Sequence, residues 1–288
     1  MDFALEVNKL CKAYKDTAFK LQNVSFNIPK GSIVGFVGKN GAGKSTTINA
    51  VLNILHKDSG EVAFFGKAMT DDAKYIRNDI GVVFDTVHFS GELTPKKLER
   101  VMKDIYENWD GALFLAYLER FHIPADKKIK TFSRGMTMKL SISSALSHKA
   151  KLLILDEATA GLDPVVREEI LDLLLEFVEN EENSILMSSH ISSDLEKVAD
   201  YIIFIDNGKI ILSEKKDTLI YEYGIARMKQ SDFDTLDKSE YLSARKRGLQ
   251  LEVLIENKKQ FTRAHPDIVT DNATIDEILP MLTKEESK

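Results

Sequence analysis

The sequence predicts an α/β fold followed by a smaller α+β unit, and three observations carry that prediction. A glycine-rich stretch, GKNGAGKS at 38–45, stands directly between a short apolar run and a helical pattern. A second apolar run, Leu152 to Asp156, is too short for a helix and shows no alternation, as expected of a strand buried on both faces of a parallel sheet. Beyond residue 222 the pattern changes to alternating residues and then a capped amphipathic helix, which divides the chain into 1–222 and 223–288.

The elements are taken in chain order. Ser32 to Val37 reads as a strand, and the pattern after the glycine loop reads as a helix through Leu55. Asp79 to Phe84 is a second strand. Leu98, Val101, Met102, Ile105 and Trp109 then recur at i, i+3, i+4, i+7 and i+11, placing a helical insertion near residues 86–150. Past the strand ending at Asp156, Asp163 and Pro164 supply an N-cap and a first-turn proline for a helix with Val166, Ile170, Leu173, Leu174 and Phe177 on one face. Ser184 to Met187 is a strand, Ser193 and Glu196 are spaced as a capping box, and Tyr201 to Ile205 is a strand ending at the turn Asp206-Asn207-Gly208. In the last unit, Leu249, Leu251, Val253 and Ile255 alternate behind an Arg247-Gly248 turn. Thr274 and Glu277 are spaced as a capping box before Ile275, Ile278 and Leu282, and Pro280 is expected to distort or end that helix.

Composition narrows the function classes. With 43% hydrophobic and 29% charged residues the chain reads as globular, and its formal net charge of -6 argues against nonspecific nucleic-acid binding. No apolar run approaches a membrane span, and the opening MDFALEVNK lacks a signal-peptide layout. A single cysteine, Cys11, excludes an internal disulfide and fits a reducing cytosol.

The chemistry concentrates at strand ends. Residues 38–45 match G-x-x-x-x-G-K-[ST], with Gly38, Lys39, Asn40, Gly41, Ala42 and Gly43 able to curl backbone N–H groups around a polyphosphate. Lys44 reaches the β and γ phosphates, Ser45 holds Mg²⁺, and Thr46 and Thr47 serve the helix or nearby phosphates. Asp156 and Glu157 lie at a strand's carboxyl end, where adjacent carboxylates call for a cation: Asp156 holds the metal and Glu157 polarises the attacking water. His190, after another short strand, can contact the γ phosphate.

These motifs, in their order, resemble the nucleotide-binding subunit of ATP-binding cassette (ABC) transporters over residues 1 to about 220. The resemblance implies a P-loop NTPase core of mixed sheet and helices, a helical subdomain, ATP and Mg²⁺ as cofactors, and ATP hydrolysis. Tyr14 in CKAYKD resembles the adenine-stacking aromatic. TFSRGMTMKL at 131–140 resembles the signature that precedes a helix, so Ser133 and Gly135 match positions that bind the γ phosphate across a dimer interface. Asp163 in AGLDP matches the loop linking the two sites, and His190 matches the switch histidine. Two positions depart from the family pattern. Asp85 stands where a glutamine that touches Mg²⁺ is usual, and it adds negative charge. Arg134 replaces the first signature glycine and is expected to face solvent or a partner site's phosphate, with solvent favoured.

The Phe132-Ser133-Arg134-Gly135-Met136 form, the single cassette and the added carboxyl-terminal unit resemble ABC-2 type exporter ATPases. That resemblance implies a homodimer, or a heterodimer with another ABC ATPase subunit, sandwiching two ATP. It would work through a separate transmembrane permease at the cytoplasmic face of the membrane, docked near Asp85 to Thr94, and export a drug, peptide or toxin. No nucleic-acid partner is expected. A soluble cassette acting on ribosomes or DNA, and a nucleotide-gated regulator, stay open at this point.

Overall fold

The computed structural model describes residues 2–14, 17–70, 73–86 and 89–283; of the expected docking segment, residues 87 and 88 lie outside that set. The first half of the chain contains β1 (Phe3–Ala13), β2 (Lys20–Pro29), β3 (Ile33–Val37), α1 (Lys44–Val51), β4 (Ser59–Phe64), β5 (Lys67–Ala68), α2 (Lys74–Asn78), β6 (Ile80–Val83), α3 (Pro95–Ile105), α4 (Gly111–Arg120) and α5 (Arg134–Leu146). It continues with β7 (Leu152–Asp156), α6 (Pro164–Val178), β8 (Ser184–Ser189), α7 (Ser192–Val198), β9 (Tyr201–Asp206), β10 (Lys209–Lys215) and α8 (Lys216–Tyr221). The last part holds β11 (Gly224–Met228), α9 (Gln230–Phe233), β12 (Ser243–Arg247), β13 (Gln250–Ile255), α10 (Lys258–Ala264), β14 (Val269–Asn272) and α11 (Ile275–Leu282).

Among the described residues the strands form three sheets. A six-stranded sheet, ordered β10-β9-β3-β8-β7-β6, is parallel from β9 to β6 and carries β10 antiparallel at its edge. Every residue of β3, β7 and β8 is buried, which explains the apolar runs Ile33–Val37, Leu152–Leu155 and Ile185–Met187 within them. Successive side chains enter opposite cores: Leu153, Leu155, Ile185 and Met187 meet Phe114, Leu140, Ile170 and Leu195, while Leu152, Ile154 and Leu186 join the other face. That second face is covered by α1 and by an antiparallel sheet, β2-β1-β4-β5, with the rings of Phe26 and Phe36 5.5 Å apart. Burying each such side chain contributes about 1.5–3 kcal/mol.

Parallel pairing brings the carboxyl ends of four strands to one edge. Val37 is registered with Ser189, Leu155 with Met187, and Val83 with Leu155. The loops that begin at positions 38, 84, 157 and 190 therefore emerge side by side, the usual place for ligands in open parallel sheets.

Three helices, α3 to α5, separate β6 from β7. Thr94 caps α3 by accepting from the Lys97 N–H, and the helix ends at Ile105 because Tyr106 is extended. Trp109 is thus off the helix whose face it was expected to complete, although its ring still packs 5.2 Å from that of Phe114. Likewise α1 stops at Val51, short of Leu55, where Asn53 takes the left-handed conformation.

The third sheet, β12-β13-β11-β14, faces two ways. Ala226, Met228, Val253 and Ile255 surround Phe261 of α10, whereas Ile225 and Leu254 join the main core together with Ile275, Ile278 and Met281 of α11. The Thr274–Glu277 capping box forms as expected. Pro280 neither ends nor breaks α11, which runs on to Leu282; the buried apolar face outweighs one missing hydrogen bond. The expected Ser193–Glu196 box does not form. Ile191 is the N-cap of α7, without a side-chain cap, and Glu196 Oε1 instead accepts from the Ile275 N–H at 3.0 Å, capping α11 from outside.

Candidate active site

The loop after β3 is shaped by its glycines. A Cβ at Gly38 would lie 2.5 Å from the Ile205 carbonyl, and Gly43 takes a φ of +116° with no side chain capping the first turn of α1. The N–H groups at that helix start are therefore turned toward the sheet edge, a favourable setting for an anion. Ala42 is buried and its carbonyl accepts from the Gly208 N–H at 2.9 Å, so the β9–β10 turn braces the loop. Thr47 is buried and donates to the Gly43 carbonyl at 2.8 Å, settling it as a helix residue. Lys39, Asn40, Gly41 and Ser45 are exposed, and Thr46 is half-buried. The Lys39 side chain donates to Thr283 Oγ1 at 3.1 Å.

Lys44, the first residue of α1, meets Glu157 and His190, which directly follow β7 and β8. Lys44 is buried, donates to the Gly38 carbonyl at 2.7 Å and holds Nζ 3.1 Å from Glu157 Oε1. That last contact is electrostatic: Oε1 is buried without a partner in hydrogen-bond geometry. Glu157 Oε2 lies 2.5 Å from His190 Nδ1. Asp156 is buried beside this line, and its Oδ1 accepts from the Ser188 hydroxyl at 2.5 Å. The same hydroxyl accepts from the Glu157 N–H at 3.1 Å, so one serine of β8 sets both carboxylates. Glu157 itself sits at φ +54°, a left-handed conformation that a non-glycine residue adopts at a cost of about 1–2 kcal/mol. Next to it, Thr159 Oγ1 is buried and unpartnered.

A second group gathers at the amino ends of α5 and α6. Ser133 caps α5, its Oγ accepting from the Met136 N–H at 3.2 Å, and Asp163 caps α6, its Oδ1 accepting from the Val166 N–H at 3.1 Å. The two helix starts touch: a Cβ at Gly135 would lie 3.3 Å from Val166. Arg167 donates to the Leu162 carbonyl at 3.3 Å and stands 3.8 Å from the buried Asp194 carboxylate, tying this loop to the helix after His190.

Three of the expected residues have neighbours that the sequence did not reveal. Arg134, expected to face solvent or a partner's phosphate, donates to Asp85 Oδ1, and the pair spans the loop after β6 and the start of α5. Asp85, expected as a metal ligand, pairs here through Oδ1 with a cation of its own chain. Tyr14 stands 39% exposed past the end of β1, while the ring that meets the glycine loop is Phe19, whose Cζ would lie 3.0 Å from a Cβ at Gly43. Sequence reasoning passed over Phe19 and Ser188. The only signals were an aromatic directly before β2 and a hydroxyl two residues before His190.

A family model described as ABC transporter matches residues 21–160. The lantibiotic transport ATP-binding protein SrtF of Streptococcus pyogenes is 35% identical over 74% of this chain and 91% of its own length. The bacitracin transport ATP-binding protein BcrA of Enterococcus faecalis is 28% identical, covering 82% of this chain and 76% of that protein. Among solved structures, the dimeric bacterial ABC transporter cassette MJ0796 superposes with a TM-score of 0.66 at 25% identity, over 74% of this chain and 98% of that one.

Proposed function

Because this chain belongs to the ABC transporter family, as an ATP-binding cassette and ATPase subunit of a transporter, we propose that Lys44, Glu157 and His190 form its hydrolytic centre and that its transporter exports a peptide antibiotic or similar toxin. The observation that carries this reading is the unbroken line from Lys44 through Glu157 to His190, assembled from the start of α1 and the ends of β7 and β8. Lys44 is held by the Gly38 carbonyl and Glu157. A polyphosphate in the loop competes for that ammonium with greater charge, drawing Lys44 away and freeing Glu157 to take a proton from water. His190 holds the far oxygen of Glu157 and so fixes the direction of its free lone pairs.

Each remaining residue has its own part. Gly38 to Gly43, Lys44 and Thr46 cradle phosphates, and Tyr14 or Phe19 offers a ring to the base. Ser133, Gly135 and Asp163 form the face presented to a second cassette, in line with the dimer seen for MJ0796. Ser45 and Asp156 supply hydroxyl and carboxylate oxygens, a donor set that suits Mg²⁺, which binds through few protein ligands and keeps several waters. When bound, Mg²⁺ neutralises charge on the phosphates. Residues 1–222 are the cassette, with 86–150 as its helical subdomain, and 223–288 an accessory unit. No helix among the described residues is long and apolar enough to cross a membrane. The likeness to transport ATP-binding proteins supports a separate permease as the path, with this chain at its cytoplasmic face.

The test is a pull-down of tagged Glu157→Gln protein from detergent-solubilised native membranes with and without Mg-ATP. Recovery of a polytopic membrane protein supports the assignment. Ribosomes, or a soluble dimer alone, would move it to the soluble-cassette or regulator reading.

A further inference from the structure

The register of β6 against β7 puts a third carboxylate at the phosphate-facing edge. Val83 pairs with Leu155, so Asp85 leaves β6 beside the position from which Glu157 leaves β7. Asp85, Asp156 and Glu157 thus crowd one rim, and each has a different counterpart. Glu157 has Lys44 and His190, and Asp156 has the neutral Ser188 hydroxyl. Asp85 has Arg134, which reaches it from 49 residues away in sequence. The guanidinium also packs over Gly161, where a Cβ would sit 3.5 Å from its Cζ, so it lies among three loops at once. The two departures from the family pattern, an aspartate for glutamine and an arginine for glycine, are therefore partners.

We propose that Arg134 is the counter-ion of Asp85, a positioning residue that offsets the negative charge this aspartate adds at the rim and so keeps the site receptive to a nucleotide polyphosphate. The proposal rests on the ATP-binding reading above. Both side chains are about half exposed, so as a mechanical tie the pair contributes little. Its effect is one of charge: β6 stands three strands from β3, roughly 14 Å, so without Arg134 the Asp85 carboxylate acts unopposed on phosphates in the loop after β3 at low salt, where the Debye length is about 30 Å, and much less at high salt. A charge effect and a structural tie predict opposite outcomes when both residues are neutralised.

The experiment is an equilibrium titration with a fluorescent ATP analogue, in EDTA, at low and high salt, on wild type, Arg134→Gln, Arg134→Lys, Asp85→Asn and the Asp85→Asn/Arg134→Gln double variant. Thermal melts of each verify folding. At low salt Arg134→Gln is expected to weaken binding on the order of five-fold, an effect that shrinks as salt rises. Arg134→Lys, which keeps the charge, binds as wild type does, and the double variant recovers wild-type affinity. A double variant as weak as Arg134→Gln, or a loss indifferent to salt, would overturn the counter-ion role while leaving ATP binding intact. Wild type that fails to bind the analogue both in EDTA and with Mg²⁺ would defeat both readings.

Discussion

Glu157, just past the end of β7, and Glu252, within β13, are both carboxylates set among cations and largely withdrawn from water, yet they are finished differently. Glu252 is surrounded by arginines: Arg245 donates to it through Nε at 2.7 Å, Arg247 through Nη1 at 3.1 Å, and Arg227 stands 3.7 Å away. Burial pushes its carboxyl up, but the hydrogen bonds from Arg245 and Arg247 outweigh this and hold it below the usual carboxylate range. Glu157 has one ammonium at contact distance without hydrogen-bond geometry and one imidazole. A carboxylate that maintains a fold has its lone pairs occupied, whereas one that waits for a reactant keeps one open.

The comparison can be broken by separating turnover from stability. Glu157→Gln should lower ATP turnover by about 10²–10⁴-fold while ATP binding persists, read by phosphate release and by equilibrium titration. Lys44→Ala is next: loss of a charged donor to the phosphates should weaken ATP binding about 10–100-fold, with a thermal melt confirming the fold. Glu252→Gln should do the converse, lowering unfolding free energy in urea by about 1–3 kcal/mol with the turnover of the folded protein unchanged. If Glu252→Gln instead abolished turnover at full stability, the distinction drawn between the two carboxylates would fail.

A pH series sharpens it further. Because the folded-state pKa of Glu252 is depressed, its contribution is complete above the unfolded carboxylate pKa of about 4.3 and is lost as pH falls through the folded value. Wild type should therefore lose stability below that point more steeply than Glu252→Gln does. The smallest effect belongs to Arg120→Gln. Its pair with Glu176 is exposed, and removing it should change stability by only about 0.2–1 kcal/mol, within reach of chemical denaturation.

Features encoded by near neighbours were legible in the sequence. The glycine loop, the Asp163-Pro164 helix start and the Thr274–Glu277 box each depend on residues a few positions apart, and each formed as expected. What could not be read depends on distant competition. Glu196 is spaced to cap its own helix, but the Ile275 N–H, 79 residues on, offers a better-placed donor. Arg134 was expected to face solvent or a partner site's phosphate, and its own-chain partner Asp85 arrives only when β6 and α5 are brought together. The alternation around Leu251 and Val253 suggested one exposed face. That face is covered, since α11 packs over it and Glu252 is balanced by arginines on adjoining strands. Trp109 misled for a local reason, as Tyr106 ends the helix while the ring still reaches the core.

The left-handed backbone of Glu157 has a consequence for protein engineering. Glycine at that position would release a strain of about 1–2 kcal/mol while deleting the carboxylate on which hydrolysis is proposed to depend. The same change would leave the buried Lys44 ammonium without its counter-ion, a larger cost than the strain it relieves, so selection for heat resistance alone would retain glutamate at codon 157 for its charge as well as for its chemistry.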